Sequence, residues 1–294
     1  MDPNIIIAGP TASGKSSLAI EVAQQVGGEA ASVDAFQIYR GLDVGTGKVT
    51  QEEQQGVPHH LLDMVDPESD FSVADYIRAA AAVIGQVDVP LIWVGGTGLY
   101  VSALLEGLTP APPTPPEIQE ELNQRSTKLL REEIQRVDPA WAAQADLENP
   151  RRMIRALGVY QATGKTMSAW QQERMPGLLV GAKVFILQPD PEELRERIDQ
   201  RVAAMLAAGW IDEVRALAER PDWEKSQSAR AIGYAEVLQH LRGEMSLGQC
   251  QSEIARQTWQ YARRQRTWFR KQRGVIPLGT SDPVTEILQH IGAA

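Results

Sequence analysis

Short apolar runs alternate with longer amphipathic stretches in the first hundred residues. The runs at 5–8, 29–33 and 91–94 hold four or five residues and are bounded by glycine, proline or aspartate, which predicts buried strands. The stretch from Gly14 to Val26 instead repeats its apolar residues at helical spacing. Strands that alternate with helices predict an α/β fold, with a parallel sheet and helices on both of its faces.

The pattern changes between Leu108 and Pro116, where five of nine residues are proline. Such a segment is stiff and can form neither a helix interior nor an inner strand. The pattern is helical over 117–174, and the run at 182–187 is strand-like again. We therefore predict a core made of residues 1–112 and 178–294, and a helical domain of residues 113–177 inserted into it.

The last hundred residues are predicted to be mostly helical. After Pro191 the helical pattern is interrupted at Gly209, at 220–221 and at Gly243, and one long helix then runs to about Gln272. A last strand at 275–278 and a terminal helix follow. These elements complete the core.

Composition places the chain among ordinary globular proteins. The 294 residues carry a net charge of −9, with 43% hydrophobic and 23% charged residues. No apolar run approaches the roughly 18 residues of a membrane span, and no basic leader precedes the first strand. We expect a cytoplasmic protein with no membrane partner. Cys250 is the only cysteine, which excludes an internal disulfide and a cysteine-based zinc finger.

A complete phosphate-binding loop directly follows the first strand. Its residues are Gly9, Pro10, Thr11, Ala12, Ser13, Gly14, Lys15 and Ser16. The glycines let backbone N–H groups turn inward, and the following helix presents its positive end to an anion. Lys15 can reach outer phosphates and the Ser16 hydroxyl can bind a magnesium ion. The loop alone does not identify the phosphate compound.

Asp34 closes the second strand and is the first candidate for chemistry beside the loop. Ligands of parallel sheets bind outside the carboxyl ends of the strands, so the loop, Asp34 and Thr97 are predicted to surround one crevice. There the carboxylate can bind magnesium or act as a general base; a turn or helix-cap aspartate is the alternative. The later strand ends at Gly95-Gly96-Thr97, without the carboxylate of nucleotide-hydrolysing proteins.

The segment 251–273 is strongly basic. Its seven basic residues and one acidic residue give a net charge of +6, so the remaining residues together carry −15. Five arginines fall within about a 100° stripe of a helix: Arg256, Arg263, Arg266, Arg270 and Arg273. Apolar residues such as Ile254 and Phe269 lie on the other side. This pattern predicts contact with a phosphate backbone and hence a nucleic-acid partner.

Smaller candidates lie elsewhere. Arg151 and Arg155 share a helix face with i, i+4 spacing, which is compatible with RNA contact or with pairing inside the helix. Arg230 stands before a helix and can add a cation to a polyphosphate site. His59 and His60 are adjacent and point in different directions, so we predict a structural role for them and not a metal site.

In combination these motifs are specific. The segments concerned are 9–16, 32–46, 59–63, 95–100, 230–234 (Arg-Ala-Ile-Gly-Tyr) and 263–270 (Arg-Arg-Gln-Arg-Thr-Trp-Phe-Arg). In this order, and over nearly the whole chain, they resemble the tRNA dimethylallyltransferase (tRNA isopentenyltransferase) family of bacterial type. The resemblance implies a P-loop NTPase-like core and a magnesium-dependent prenyl transferase. Its substrates would be dimethylallyl diphosphate and the anticodon stem-loop of tRNA, where N6 of adenosine 37 accepts the dimethylallyl group. A monomer is expected.

Residue roles follow from the resemblance, position by position. The loop 9–16 and Arg230 would bind the diphosphate, Ser16 would hold magnesium, and Lys15, Asp34 and Thr97 would be catalytic, with Asp34 as the general base. The inserted domain would close over the anticodon stem-loop. The implied tRNA contacts are Asp34, Ala35, Phe36, Gln37, Thr97, Gln119, Arg151, Arg152, Met153, Ile154, Arg155, Arg230, Gly233, Tyr234, Arg263, Arg264, Arg266 and Arg270.

Two positions depart from the family pattern. Residues 47–49 read Gly-Lys-Val where the family usually has Ala-Lys-Pro, and Gln119 stands where members carry an arginine at the tRNA. Two other functions stay open: a small-molecule kinase that uses ATP, with Asp34 as base, and a non-enzymatic RNA-binding protein that senses a nucleotide. The basic helix argues against the kinase, and the loop together with Asp34 argues against the pure binder.

Overall fold

The computed structural model describes residues 4–279 and 281–293. Within these residues one sheet of six parallel strands has the order β3-β2-β4-β1-β5-β6. The strands are β1 (Ile5–Ala8), β2 (Glu29–Val33), β3 (His59–His60), β4 (Leu91–Gly95), β5 (Lys183–Ile186) and β6 (Val275–Pro277). The fold class and five of these strands agree with the prediction, whereas β3 was not predicted.

Helices lie between the parallel strands along the chain. In the order of the chain they are α1 (Lys15–Val26), α2 (Val73–Ile84), α3 (Gly98–Glu106), α4 (Pro116–Asn123), α5 (Thr127–Val137), α6 (Pro139–Ala142), α7 (Pro150–Thr163), α8 (Met167–Gln171), α9 (Pro191–Ala207), α10 (Trp210–Ala218), α11 (Tyr234–Leu241), α12 (Leu247–Arg270) and α13 (Pro283–Ile291). Two short 3₁₀ turns lie at Trp223–Lys225 and Ser228–Arg230. Across the described ranges, no helix is both long and apolar enough to span a bilayer.

The continuous apolar run of β1 is explained by burial on both faces. Ile5 and Ile7 pack in one hydrophobic core with residues of α1 and α13, and Ile6 and Ala8 pack in a second core on the other face. Successive side chains of a strand point to opposite sides, and a central parallel strand is covered on both. All four residues are fully buried.

The chain forms two compact units. One ends at Leu105 and resumes at Leu178, and the other is Glu106–Gly177. Residues 106–112, which the sequence assigned to the core, therefore group with the helical unit. That unit has a hydrophobic core of its own, in which α7 packs against α4 and α5.

Candidate active site

A cavity of about 830 Å³ lies within the sheet-containing unit, at the carboxyl ends of β1, β2 and β4. Its walls come from the phosphate loop, from Asp34, from the segment 43–50, and from α9 and α12. The crevice expected from strand order is therefore formed and is shared by residues 11–16 of the loop and Asp34, whereas Thr97 is not among its lining residues. Thr97 follows the end of β4, where its N–H lies 3.4 Å from the carbonyl oxygen of Val33.

The phosphate loop has the backbone that an anion site needs. Gly14 takes a left-handed conformation (φ 86°), as does Ala12 (φ 62°), and α1 begins at Lys15. No side chain caps the N-terminus of α1. The first N–H groups of a helix have no partner within the helix, so those of α1 are available to a phosphate group. A loop of this kind after the first strand of a parallel sheet is the P-loop NTPase-like arrangement.

Lys15 is a half-buried cation at the start of α1. Its Nζ donates a hydrogen bond to the carbonyl oxygen of Pro10 (3.2 Å). Burial, followed by the positive charge of Arg201, lowers the pKa of Lys15 to about 8, and the Asp34 carboxylate acts in the opposite direction. A desolvated ammonium group gains from a bound anion, because the anion restores the interactions that burial removed.

Asp34 combines the two roles that its sequence position left open. Its Oδ1 accepts hydrogen bonds from the backbone N–H groups of Phe36 (2.9 Å) and Gln37 (3.3 Å), which makes it a turn residue. Its half-buried carboxylate also lines the cavity. The turn thus fixes the carboxylate with one oxygen, while Oδ2 has no hydrogen-bond partner in the part of the chain that the structure describes.

The three residues after Asp34 differ in their contacts, because Gln37 is held by hydrogen bonds and Ala35 and Phe36 are only half-buried. The Gln37 side chain accepts a hydrogen bond from the Ser32 hydroxyl (3.0 Å) and donates to the carbonyl oxygens of Thr46 and Gly47 (3.3 and 3.2 Å). Its amide therefore anchors the segment 43–50. Ala35 and Phe36 are half-buried, and Phe36 lines the cavity.

Gln265 on α12 is a site residue that the sequence did not reveal. It is buried, its Oε1 accepts the N–H of Thr11 (2.9 Å), and its Nε2 donates to the carbonyl oxygen of Gly96 (2.9 Å). A side chain on Gly96 would collide with this amide, so glycine is required there. Gln265 thereby ties the phosphate loop to the end of β4.

Tyr261, one turn before Gln265, brings a hydroxyl to the same place. Burial and then the charge of Asp34 raise the pKa of Tyr261 to about 12, while hydrogen bonds with Thr97 and Gln265 act in the opposite direction. Thr97 and Asp34, which are far apart in the sequence, therefore both influence the pKa of the Tyr261 hydroxyl. The sequence did carry one signal for Tyr261 and Gln265. Polar residues at 258, 261 and 265 form a row on the side of α12 that packs against the rest of the protein.

Glu213 holds the segment 43–50 against α10. Its carboxylate accepts hydrogen bonds from the backbone N–H groups of residues 43, 44 and 45 (2.8, 2.6 and 3.1 Å) and from the Tyr234 hydroxyl (2.7 Å). Tyr234 was a predicted tRNA contact, and this prediction needs correction because its side chain is fully buried. The adjacent Gly233 is buried as well. Tyr234 instead fixes the wall of the cavity.

The arginines of α12 divide into separate groups. Arg263 and Arg270 are exposed, as the predicted stripe requires. Arg256 forms an ion pair with Glu253, and Arg266 donates to the carbonyl oxygen of Pro189 (3.2 Å). Arg264 lies off the stripe and lines the cavity. Of the five arginines in the predicted stripe, Arg256 and Arg266 thus interact within the protein, and Arg273 is exposed like Arg263 and Arg270.

Arg230 is exposed at the end of a 3₁₀ turn. It is not among the residues that line the cavity, although the two that follow it, Ala231 and Ile232, are. Its role at the diphosphate stays a prediction.

The predicted contacts of the helical unit are only partly exposed. Arg151 and Arg152 are exposed, whereas Met153 and Ile154 are buried in that unit's core, so their side chains are not available to RNA. Arg155 donates to the carbonyl oxygens of Pro112 (2.6 Å) and Ala111 (2.9 Å) and thereby fixes the proline-rich segment. The Gln119 amide lies 3.4 Å from the Asn123 side chain on α4.

Comparison with known proteins gives consistent matches. The family model for IPP transferase matches residues 37–272, and that for isopentenyl transferase matches residues 4–67. A tRNA dimethylallyltransferase 1 from Pelobacter propionicus is 41% identical over 300 residues, which cover 97% of this chain and 95% of the relative.

Solved structures agree with these matches. The full-length tRNA isopentenylpyrophosphate transferase from Bacillus halodurans has a TM-score of 0.73 and 33% identity, with 99% of this chain and 96% of that chain covered. A eukaryotic dimethylallyltransferase, described as acting on tRNA, has a TM-score of 0.81 and 27% identity, with 95% and 74% covered. The chain therefore belongs to the IPP transferase family.

Proposed function

We propose that this protein is a tRNA dimethylallyltransferase, which transfers a dimethylallyl group from dimethylallyl diphosphate to N6 of adenosine 37, the nucleotide just 3′ of the anticodon. The observation that carries the proposal is the shared cavity of Asp34 and the phosphate loop. One wall suits a phosphate leaving group, and the carboxylate suits a nucleophile that must lose a proton. Relatives named for this reaction over nearly the full chain length support it.

The donor's diphosphate would bind to the N–H groups of the loop and to Lys15. Its hydrocarbon end would contact the apolar part of the cavity, where Phe36, Ile198, Val202 and Met205 are lining residues. This division of the cavity favours a ligand with an anionic end and a short apolar end.

Magnesium fits the same site by the chemistry of its donors. Ser16, the last residue of the loop, lines the cavity, and magnesium prefers hard oxygen ligands such as hydroxyl and phosphate oxygens. When bound, the ion would neutralise charge on the diphosphate. Ser16 is the residue that we expect to hold it.

The chemical step is a displacement at the allylic carbon. The N6 nitrogen of adenine forms the new C–N bond, the C–O bond to the diphosphate breaks with its electron pair leaving on the diphosphate, and Asp34 takes the proton of N6. Because the lone pair of N6 is delocalised into the ring, a base is needed in the transition state. The backbone N–H groups of residues 36 and 37 orient this base.

The leaving group requires positive charge as the C–O bond breaks. Lys15 and the loop N–H groups are held in position before the reaction, by burial and by the bridge from Gln265. Donors fixed in this way stabilise developing charge without reorganisation. We expect Thr97 and Tyr261, which interact with each other, to orient the adenine, and the Tyr261 phenol lies near Asp34.

The tRNA would bind through exposed arginines. Arg263 and Arg270 on α12, with Arg151 and Arg152 in the helical unit, are available for the phosphates of the anticodon stem-loop. The target adenine must leave its stack to enter the cavity. We infer that the protein acts as a monomer.

The experiment incubates purified protein with magnesium, dimethylallyl diphosphate and unmodified tRNA, and analyses the nucleosides by mass spectrometry. We expect N6-(dimethylallyl)adenosine, with ATP left intact in a parallel reaction. Transfer of phosphate from ATP, without prenylated tRNA, would instead support a small-molecule kinase.

A further inference from the structure

Trp210 is a buried aromatic residue at the cavity that the sequence motifs do not include. It is the first residue of α10 and is only 1% exposed, and it lines the cavity. Two further lining residues, Ile254 on α12 and Ala231, are buried as well, whereas Glu21 and Arg264 line the cavity and are exposed. The cavity therefore has an open part and a closed part, and Trp210 belongs to the closed part.

The indole ring of Trp210 is held in place by packing. A side chain on Gly45 would collide with its Nε1, and a side chain on Gly233 would collide with its Cη2. The ring of Tyr234 meets the indole edge-on, with 5.7 Å between the ring centroids. Nε1 has no hydrogen-bond partner among the residues that the structure describes. The shape of the surrounding residues, and not a hydrogen bond, thus fixes the ring.

The surface that leads to this ring is apolar. On α9 the lining residues include Val202 and Met205, and α10 begins with Trp210 three residues after α9 ends. Val202, Ile254 and Trp210 belong to one hydrophobic core, against which Met205 packs. The apolar wall assigned above to the hydrocarbon end of the donor therefore continues to Trp210, where the residues are buried.

We propose that Trp210 sets the length of the prenyl chain that the protein accepts. Its indole closes the apolar part of the cavity behind the dimethylallyl group, so a donor that is longer by one isoprene unit is excluded. This inference rests on the function proposed above, since it concerns the same donor. A packed ring cannot move aside without displacing its neighbours. A smaller side chain leaves space at this point, and a longer prenyl chain can fill it.

The test compares dimethylallyl diphosphate with geranyl diphosphate as donors to the same tRNA. For the wild type we expect kcat/KM to be at least about 100-fold lower with the geranyl donor. Trp210→Leu should raise the ratio of geranyl to dimethylallyl kcat/KM at least about 10-fold. Trp210→Phe should raise it less, because phenylalanine leaves less space than leucine beside the same neighbours. The KM for tRNA should stay unchanged in both variants.

Trp223 provides a matched control. It is as buried as Trp210 and also meets the ring of Tyr234 edge-on, at 6.3 Å between centroids, but it is not among the residues that line the cavity. Trp223→Leu should keep the donor ratio of the wild type, even where urea denaturation shows that both leucine variants are less stable. An equal rise of the ratio in both leucine variants would overturn the proposal, because a generally loosened core would then explain it.

Other results would also overturn the proposal. These are an unchanged donor ratio in Trp210→Leu, or a wild type that uses both donors equally well. A higher KM for tRNA with an unchanged donor ratio would place Trp210 at the acceptor nucleoside instead. If Trp210→Leu does not fold, as judged by circular dichroism, Trp210→Phe decides, and a ratio equal to that of the wild type would contradict the proposal.

Binding without turnover separates this proposal from the proposed function. Calorimetry with magnesium and without tRNA gives the Kd of each donor, and their ratio reports on the prenyl end because both carry the same diphosphate. We expect Trp210→Leu to shift this ratio toward geranyl diphosphate. If the wild type makes no prenylated tRNA, the proposed function fails, while the ratio of the two Kd values still decides whether Trp210 limits the chain.

Discussion

Replacing Lys15 by methionine tests whether the cavity holds its lysine at an energetic cost when no anion is bound. Methionine keeps most of the length of the side chain and removes the charge. In the structure the lysine is desolvated and lies near Arg201, which together lower its pKa from 10.5 to about 8. The folded protein without ligand therefore disfavours the charged form of Lys15.

The magnitude follows from the size of this change. One pKa unit corresponds to about 1.4 kcal/mol, so the charged lysine costs the folded state about 3 kcal/mol at pH 7. Lys15→Met should raise the free energy of unfolding by up to this amount. Added diphosphate should reverse the order of stability, because it stabilises the wild type by RT ln(1 + [L]/Kd) and binds the variant poorly.

The pH dependence has a defined sign. The unfolded chain keeps the proton of Lys15 up to about pH 10.5, whereas the folded protein keeps it only to about pH 8. Between these values the unfolded state binds more protons, so the free energy of unfolding of the wild type increases with pH. The advantage of Lys15→Met should be largest below pH 8 and disappear toward pH 10.

Urea denaturation from pH 6.5 to pH 10 measures this difference. Lys271→Met, which removes an exposed lysine at the end of α12, controls for the change in net charge and should show no such pH dependence. Two results would refute this reasoning: Lys15→Met has no higher free energy of unfolding than the wild type at pH 7, or the difference between the two does not change with pH. The charged Lys15 would then not destabilise the folded protein.

Further predictions concern the base, the buried bridge and the basic helix. Asp34→Asn keeps an oxygen for the turn, so it should bind tRNA normally while turnover falls at least about 100-fold; normal turnover in a single-turnover assay would exclude Asp34 as the base. Gln265→Leu leaves two backbone groups without partners, and we expect a loss of about 2 kcal/mol in urea denaturation together with a higher KM for the donor; unchanged values for both would refute the bridge. Replacing Arg263 and Arg270 by glutamine should weaken tRNA binding and reduce its salt dependence, while Arg256→Gln, whose arginine is paired, should not. An unchanged salt slope in the double variant would mean that this face is only solvated.

The sequence predicted those elements whose own residues indicate them, through an apolar run or through a glycine or proline at an end. The apolar run of β1 and the glycine-rich loop after it are specified by residues 5–16 alone. Some helix boundaries, such as the starts of α6 and α7 and the end of α7, follow from prolines and a glycine. β3 has only two residues, His59 and His60, and was not predicted because so short an edge strand has no periodicity. The structural or hydrogen-bonding role predicted for these histidines agrees with the contacts of His60 with Glu29 and of His59 with the Val57 carbonyl.

The parts of the site that could not be predicted depend on tertiary contacts. Gln265 stands in a row of polar residues on the packed side of α12, and Arg201 lies on α9, but Thr11, which Gln265 contacts, and Lys15, on which Arg201 acts, are far away in the chain. At Tyr234 the sequence instead predicted a tRNA contact for a residue whose side chain is buried. It stands in a motif shared with the family, but the hydrogen bond of its hydroxyl with Glu213 keeps it in the core.

Prenylation at a single nucleotide is the most direct test of the central claim. Unmodified tRNA with adenosine at position 37 and the same tRNA with guanosine there are incubated with dimethylallyl diphosphate, magnesium and either the wild type or Asp34→Asn. Digestion to oligonucleotides and mass spectrometry then locate the product. We predict N6-(dimethylallyl)adenosine at position 37 for the wild type with the adenosine substrate only. A product at another position, or equal product from the Asp34→Asn variant, would contradict the account.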